Sequence, residues 1–346
     1  MTADYRLETR LRDGSYVATI PHRNLQFEMG INGPSGIRFD LPLHHEVVTV
    51  AAIWPGLHEI WVKRNGTVVA AGPLWDITPS SDGGSITCSA MSLEDYLDVR
   101  LCDDIVYTLT DQSNIAWGLI DRSQTDAITG TTGSTLGFTK GTVGLGRTRT
   151  MEFRKYDNKY ILEAINDMSE LEDGFDWWID PVNRQFRTSY PRLQVDRKLT
   201  LAYRANVRGY AVQYMGKYMR NVIRVQGAEP ATVTATNPAS ITKYGRREYG
   251  DSFKDAATAT ELTAYAGYVR DLRYEPKRYP TITVDIAEVN IFDPTILSMG
   301  DQVKVIIDDG YVQFNELLRY KGCQVTVGKG GKETAVVYME DLRELN

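Results

Sequence analysis

Apolar and polar residues alternate along the segment EIWVKRNGTVVAAGPLWDI, which runs from Glu59 to Ile77. Such a period of two places every second side chain on the same face of a β-strand. Asn65 and Gly66 interrupt the alternation, and both tolerate the left-handed backbone angles of a two-residue turn. The pattern predicts a β-hairpin. Four apolar residues are expected to share one face of it: Ile60, Val62, Val68 and Ala70.

The rest of the first third has similar patterns. Asp13-Gly14 marks a turn between two strands, and Gly72-Pro73 predicts a bulge or corner because proline cannot donate to a strand ladder. Ser92, followed by acidic residues, predicts the start of a short helix. Several short strands closed by one helix predict that residues 1–105 form a first small β-barrel or sandwich domain.

The middle third, residues 106–198, changes to helical spacing. One helix is predicted from Asp111 to Gln124, and a second within 155–174. A Gly/Thr-rich run from Thr129 to Thr150 separates them and is expected to be a long loop or ribbon. Two strands around an Asp180–Asn183 turn complete an α+β insert domain. The second helix carries an apolar stripe: Ile161, Leu162, Ile165, Met168 and Leu171.

The final third, residues 199–346, returns to strands. A strand ends near Gly227, an Ala/Thr-rich connection follows from Ala228 to Ser240, and one helix is expected at about 256–275. Three strand patterns then close the chain, with a turn at Gly328–Gly331. We expect a second β-barrel domain, although the pattern leaves open whether 199–227 belongs to the first barrel.

The order of these elements predicts a mainly β protein of the α+β class. Two small β-barrel domains flank an α+β insert, and no strand–helix–strand alternation indicates a doubly wound sheet. The chain has 346 residues, of which 42% are hydrophobic, enough for a substantial core. The apolar stretch Val47–Leu57 is too short for a membrane helix, and the charged N-terminus has no secretory signal pattern. We expect synthesis and folding in a cytoplasm.

Charge and cysteine content exclude some classes of function. The net charge of −6 argues against a dedicated nucleic-acid binder, which would need clustered Lys and Arg. The cysteines are three, scattered and without a CxxC pair, which favours buried thiols over a metal site or disulfides. Adjacent side chains on a strand point to opposite faces, so His44 and His45 are interpreted as a surface or turn pair rather than a metal site, and His22 and His58 show no ligand spacing.

Motifs of catalysis are missing from the sequence. Acidic groups such as Asp308-Asp309 lack the calcium-loop pattern, and Gly141–Gly146 lacks the strand and Lys of a phosphate-binding loop. No GxSxG stretch offers a serine nucleophile. Any Asp and Glu can meet in a folded chain, so a glycosidase with paired carboxylates stays open. We assign no catalytic, cofactor-binding or metal-binding residue, and we expect no cofactor.

Tryptophans offer one binding hypothesis. Aromatic residues commonly form strands and anchor interfaces, and they can also stack against sugar rings. A place in the core or in a subunit interface is therefore the first interpretation, and carbohydrate binding the second. The residues concerned are Trp54, Trp61, Trp75, Trp177 and Trp178.

The segment PASITKYGRREYGDSFKDAATATELTAYAGYVRDLRYEPKRYPTITVDI, followed further on by ILSMGDQVKVII, resembles the C-terminal half of minor tail proteins of long-tailed phages. The stretches INGPSGIRFDLPL, VKRNGTVVAAGPLWDI and NVIRVQG are similar to other parts of the same family, so the resemblance covers most of the chain. The matching positions of its two best motifs are Ser240, Ile241, Tyr244, Gly245, Gly300, Asp301, Val303 and Val305.

The resemblance implies a siphophage tail hub, related to the central baseplate hub of contractile tails. Such a hub is a non-enzymatic homotrimer, whose two related barrels per chain form a pseudo-sixfold ring between a sixfold tail and a threefold spike or fibre. It implies a location in the virion tail tip, after assembly in the host cytoplasm. The implied partners are the distal tail protein, the tape measure protein and fibre proteins, with DNA passing the lumen unbound.

Two other classes of function remain as alternatives. Tail hubs sometimes carry a cell-wall or capsule hydrolase, and lysis of cell walls by the purified protein would indicate one. A carbohydrate-binding receptor module would instead lose glycan binding when Trp177 or Trp178 is changed.

Overall fold

β-strands dominate the part of the chain that the structure describes, which confirms a mainly β protein. The structure is a computed structural model. It describes residues 3–125, 135–141, 144–171, 173–192, 195–227, 231–252 and 259–342. The α-helices in these ranges are α1 (Gln112–Thr125), α2 (Ile161–Glu170), α3 (Pro238–Tyr244) and α4 (Ala259–Arg273). Short 3-10 helices lie at Leu93–Val99, Lys155–Asp157 and Lys329–Gly331.

The strands lie in groups before, between and after these helices. They are β1 (Tyr5–Leu11), β2 (Tyr16–Ile20), β3 (Arg23–Gly30), β4 (Gly36–Pro42), β5 (His58–Arg64), β6 (Thr67–Ser80), β7 (Ser85–Met91), β8 (Ile105–Asp111), β9 (Thr139–Lys140), β10 (Thr148–Phe153), β11 (Asp176–Asp180), β12 (Gln185–Ser189), β13 (Asp196–Ala202), β14 (Gly209–Met215), β15 (Val222–Gln226), β16 (Thr232–Thr236), β17 (Glu248–Ser252), β18 (Lys277–Asp285), β19 (Gln302–Asp309), β20 (Val312–Val327) and β21 (Glu333–Asp341).

Contacts divide the chain into two units. The first unit is Met1–Gly209 with Ile282–Tyr338, and the second is Tyr210–Thr281 with Met339–Asn346. Each unit therefore joins segments that are distant in sequence. The division into domains at 1–105, 106–198 and 199–346 stays a prediction.

One large sheet organises the first unit. Its strands follow the order β21-β20-β3-β4-β7-β6-β5-β1-β2, and β19 pairs with both β20 and β13. The antiparallel pairing of β3 with β20 places Phe27 opposite Val325, and both side chains are fully buried. The first and last thirds of the chain thus share one sheet.

The predicted hairpin is confirmed as β5 and β6. Asn65 and Gly66 both have positive φ angles, 49° and 84°, as a two-residue turn of this kind requires. The prediction that four apolar residues share one face of the hairpin is wrong for Val68. A register shift follows Val62, so Val68 pairs with Lys63 and lies on the opposite face from Val62.

The corner predicted at Gly72-Pro73 is also present. β6 pairs with β5 as far as Pro73 and with β7 from Leu74 onward, where Leu74 lies opposite Ala90. The strand therefore changes its partner at the residue that cannot donate a ladder hydrogen bond. Ser92 precedes the predicted short helix, which is a 3-10 helix.

Helices α1 and α2 of the middle third pack on the β11–β12 hairpin. The buried residues of their core include Ile115, Ile165, Trp177 and Phe186. Helix α2 ends at Glu170, so the predicted stripe is wrong at Leu171, whose side chain is 41% exposed. Part of the Gly/Thr-rich run lies outside the described residues, and its described part contains β9 and the start of β10.

The second unit contains a three-stranded sheet in the order β16-β15-β17. Ile223 and Val225 of β15 are buried against Leu262, Ala266 and Val269 of α4. This confirms a helix near 256–275, although 253–258 lie outside the described residues.

The connection predicted from Ala228 to Ser240 is wrong where it is described. Residues 232–236 form strand β16, in which Val233 and Ala235 face α4 between exposed threonines. Helix α3 then begins after Asn237, whose side chain accepts a hydrogen bond from the Ser240 amide at 3.0 Å. The Thr-Val-Thr-Ala-Thr alternation is typical of a half-buried strand and carries little hydrophobicity.

No helix in the described ranges is long and apolar enough to cross a bilayer.

Candidate functional site

The histidines are the simplest candidates for metal ligands. His44 and His45 are exposed, whereas His58 is 2% exposed and its Nδ1 accepts a hydrogen bond from the Trp54 amide at 2.9 Å. Within the described ranges, no three His, Cys, Asp or Glu side chains are placed to hold a metal ion. The assignment of no metal, cofactor or catalytic residue stays a prediction.

Burial changes the chemistry of the three thiols. It raises the pKa of Cys88 and of Cys323 to about 12 and that of Cys102 to about 11. The thiolate is the nucleophilic form of cysteine, so these side chains stay protonated and unreactive near neutral pH. The expected buried thiols are confirmed.

The tryptophans are divided between core and surface. Trp177 is fully buried, with its ring against Phe186 and its Nε1 donating to Asn166 Oδ1 at 3.2 Å. Trp61 is 7% exposed and lies beneath the guanidinium of Arg10. Trp54 is 47% exposed. A sugar ring has no access to Trp177, so loss of glycan binding on changing Trp177 would report a damaged core.

A charged side chain of the β5–β6 hairpin is fully buried. Glu59 is fully buried and accepts hydrogen bonds from Arg184 Nη1 at 2.8 and 3.0 Å. Tyr96 Oη and Trp61 Nε1 donate to the same carboxylate, each at 3.0 Å. Arg184 also donates from Nη2 to the Leu136 carbonyl at 2.6 Å. The carboxylate therefore joins the large sheet to the turn between β11 and β12.

A second buried ion pair holds the start of β11. Arg319 of β20 and Asp176 of β11 are hydrogen-bonded, and both side chains are fully buried. Asn32, in the β3–β4 turn, donates from its side chain to Asp176 Oδ1 at 3.0 Å. Its amide also donates to the Trp177 carbonyl at 2.9 Å, and its Oδ1 accepts a hydrogen bond from the Trp177 amide at 2.8 Å. Its φ of 62° is one that asparagine tolerates. β11 is thus fixed by the N-terminal and C-terminal parts of the sheet together.

Glu94 provides a third link to the same hairpin. Its Oε1 accepts a hydrogen bond from the Ile179 amide at 2.7 Å, and its side chain is buried. Burial raises the pKa of Glu94 against the opposing effect of its hydrogen bonds. The buried position therefore favours the protonated form of Glu94 more than an exposed position does, although the hydrogen bond from Ile179 favours the carboxylate.

Glu333 joins the two ends of the chain. Arg64 donates to both of its carboxylate oxygens, at 2.6 and 2.7 Å, and Tyr5 donates to one of them. Burial opposes ionisation, but the hydrogen bonds from Arg64 and Tyr5 outweigh it and lower the pKa of Glu333. Burial, together with the carboxylate, raises the pKa of Tyr5 above its usual range.

These links can hold segments together, and they offer no place for a reaction. The carboxylates of Glu59 and Asp176 are fully excluded from solvent and already occupied by donors of the same chain. Sequence patterns missed them because each partner lies on a distant segment. The available signal was a Glu within the apolar strand EIWV, since a buried charge needs a partner.

The architecture defined by the shared sheet and its helical insert is similar to that of solved phage tail proteins. No protein-family model matches the chain, and no curated protein matches it. Among solved structures, the 43 kDa tail protein of prophage MuSo2 from Shewanella oneidensis superimposes with a TM-score of 0.71 and 12% identity, covering 98% of this chain and 99% of that one.

Two further tail proteins have the same fold. A tail protein from Neisseria meningitidis MC58 gives a TM-score of 0.64 at 12% identity, covering 99% of this chain and 98% of that one. Prophage tail protein gp18 from Listeria monocytogenes EGD-e gives 0.59 at 12% identity, covering 96% and 94%. At this identity the likeness is one of fold, and it confirms the resemblance to tail proteins at that level.

Proposed function

We propose that this chain is a structural protein of a phage tail tip, the hub of a long-tailed siphophage. It acts as a homotrimer and without chemistry of its own. Each chain contributes two related β-barrels, so that three chains imitate a sixfold collar. The ring joins the sixfold tail to threefold spike or fibre proteins, and DNA passes through it at ejection.

The observation that carries this proposal is the likeness of fold along the whole chain to tail proteins of similar length. The buried ion pairs support the same role. Glu59–Arg184 and Asp176–Arg319 fix the insert rigidly to the sheet, as a component that bears load between neighbours requires. The carboxylates of Glu59 and Asp176 already bind donors of the same chain, which favours a structural role over a catalytic one.

The partners follow from the position in the tail. We propose the distal tail protein and the tape measure protein on the tail side, and fibre or other tip proteins on the host side. The virion tail tip is the final location, after assembly in the host cytoplasm. An overall charge of −6 supports a lumen through which DNA moves without binding, since phosphates are held by clustered cations.

Native mass spectrometry of the purified protein tests the oligomeric state. The proposal predicts a particle of three chains, each of 39.0 kDa. Particles of six chains would indicate the neighbouring distal-tail ring, and a monomer at every concentration would remove the assembly argument.

A further inference from the structure

The second unit has a charge opposite to that of the whole chain. Its two segments, 210–281 and 339–346, hold 12 of the 39 Lys and Arg but 10 of the 45 Asp and Glu, a net charge of +2, so the rest of the chain carries −8. Where the cations of this unit cluster, they create a local positive potential that attracts an anionic partner.

Four of these cations converge where three segments meet. The Arg220 amide donates to the Arg273 carbonyl at 2.7 Å, and the Asn221 amide donates to the Arg247 carbonyl at 3.0 Å. Arg220 Nη1 reaches back to the Lys217 carbonyl at 2.8 Å, and Arg247 Nη1 donates to the Gly216 carbonyl at 3.0 Å. We call this group, Lys217, Arg220, Arg247 and Arg273, the basic corner.

Asn221 fixes the basic corner in place. Its side chain is fully buried, accepts a hydrogen bond from the Arg247 amide at 2.8 Å and donates to the Gly245 carbonyl at 2.8 Å. It also donates to Ser240 Oγ at 3.2 Å. The three segments are therefore held rigidly, which lowers the entropic cost of binding an anion.

The basic corner retains its binding capacity. The neighbouring ion pairs in the described ranges, Arg246–Glu248 and Arg270–Asp271, include none of its four cations. The guanidinium carbon of Arg273 lies over the Tyr249 ring, 4.3 Å from the ring centroid. A guanidinium stacked on a ring keeps its N–H edge for a carboxylate or phosphate. Lys217 and Arg247 are exposed, and Arg220 and Arg273 are half-buried.

A matching anionic surface lies on helix α2 of the first unit. Glu163, Asp167 and Glu170 follow each other at helical spacing on its exposed side. Lys159 pairs with Asp167, whereas Glu163 and Glu170 have no ion-pair partner among the described residues. We call these three residues the acidic face. It extends about 10 Å along the helix, at about 1.5 Å per residue. Three chain segments lying side by side at the spacing of β-strands also span about 10 Å, so the two surfaces are similar in length.

We propose that the basic corner of one copy binds the acidic face of the next copy. The occupant is a second copy because the remainder of this same chain carries the complementary charge. Contact between two different faces of identical chains is heterologous and closes into a ring when the rotation allows it. The inference rests on the proposed trimer and assigns its interface.

Charge reversal tests this interface. The variants are Arg220→Glu with Arg247→Glu on the basic corner, Glu163→Arg with Glu170→Arg on the acidic face, and the combination of both pairs. Mass photometry at 50 and 500 mM NaCl measures the dissociation constant of the oligomer. We expect each pair alone to raise it at least tenfold at 50 mM NaCl, since like charges then face each other. The combination should return it to within about threefold of wild type.

Matched controls separate local from general effects of charge. Arg224→Glu removes an exposed cation of the same sheet outside the basic corner, and Glu288→Arg reverses an exposed acid away from α2. Both should leave the dissociation constant within about twofold of wild type. Circular dichroism melting of every variant verifies the fold.

The outcomes distinguish the two proposals. A wild-type trimer whose dissociation is unchanged in both reversal pairs would overturn the interface and leave the hub intact. A wild-type monomer would overturn the trimer itself. If duplex DNA binds the wild type and the Arg220/Arg247 variant loses that binding with an unchanged trimer, the basic corner serves nucleic acid and this inference is wrong.

Discussion

Glu59 and Arg184 are 125 positions apart in sequence, yet Arg184 Nη1 donates to both oxygens of the buried Glu59 carboxylate. The pair joins the β5–β6 hairpin to the turn between β11 and β12. Removing one partner of a buried pair leaves an uncompensated charge, which costs more than the pair contributes.

Glu59→Gln tests this pair. We expect the free energy of unfolding to fall by about 3 to 5 kcal/mol, because the Arg184 guanidinium then lacks its counter-charge. Urea denaturation followed by tryptophan fluorescence measures the change. Glu288→Gln is the control at an exposed position, with an expected change within about 0.5 kcal/mol. A loss below about 1 kcal/mol in Glu59→Gln would show that the pair does not hold the insert.

Asp176 and Arg319 allow a double-mutant cycle. Asp176→Leu and Arg319→Met should each lower the free energy of unfolding by about 3 to 5 kcal/mol, whereas the double variant should lose clearly less than the sum. The reason is that the double variant buries no lone charge. Losses that add fully would mean that the two side chains act independently.

Local pattern accounts for the elements that these pairs connect. Asn65-Gly66 specified the hairpin turn and the spacing of Ile161, Ile165 and Met168 specified α2, because a turn and a helix face depend on neighbours in sequence. The β3–β20 pairing has no local signal, since its strands lie nearly 300 positions apart. β16 was missed because threonine and alanine alternate with little hydrophobicity.

The partners of the buried charges were harder to predict from the sequence than the strands and helices. The sequence shows that Glu59 interrupts an apolar strand, but any of the cations could be its partner. Arg184 reaches it from a turn residue with a φ of 53°, a backbone conformation that arginine rarely adopts. The partner is selected by the tertiary fold, and composition contains no information about it.

Glu94 makes stability depend on pH. Its pKa is raised by burial, so the folded chain binds a proton more tightly than the unfolded chain, whose glutamate titrates near about 4.3. Stability contributed by Glu94 is therefore present below that pH and is lost as the pH rises through the folded pKa. Glu94→Gln keeps an acceptor for the Ile179 amide without this titration.

Denaturation of wild type and Glu94→Gln between pH 4 and 8 measures the effect. The variant should gain stability relative to wild type as the pH rises. Asp95, whose pKa is also raised by burial, titrates in both proteins, and its charge contributes to the raised pKa of Glu94 in the wild type. A difference that stays constant over this range, or one that changes in the opposite direction, would contradict the assignment.

Gly174 ends the α2 region by close approach. A Cβ at this position would lie 2.0 Å from the Ser169 carbonyl oxygen, so Gly174→Ala forces the backbone to move. We expect a loss of about 1 to 3 kcal/mol in the free energy of unfolding. Gly250→Ala is the matched control, because nothing lies within 4 Å of its added Cβ. Equal losses in the two variants would show that flexibility alone explains the effect.

Cryo-electron microscopy of a tail tip containing this chain tests the central claim most directly. The account predicts three copies around the tail axis, with the two β-barrels of each chain alternating in a ring of approximate sixfold symmetry. Six copies in the ring, or one β-barrel from each of three chains, would contradict the account.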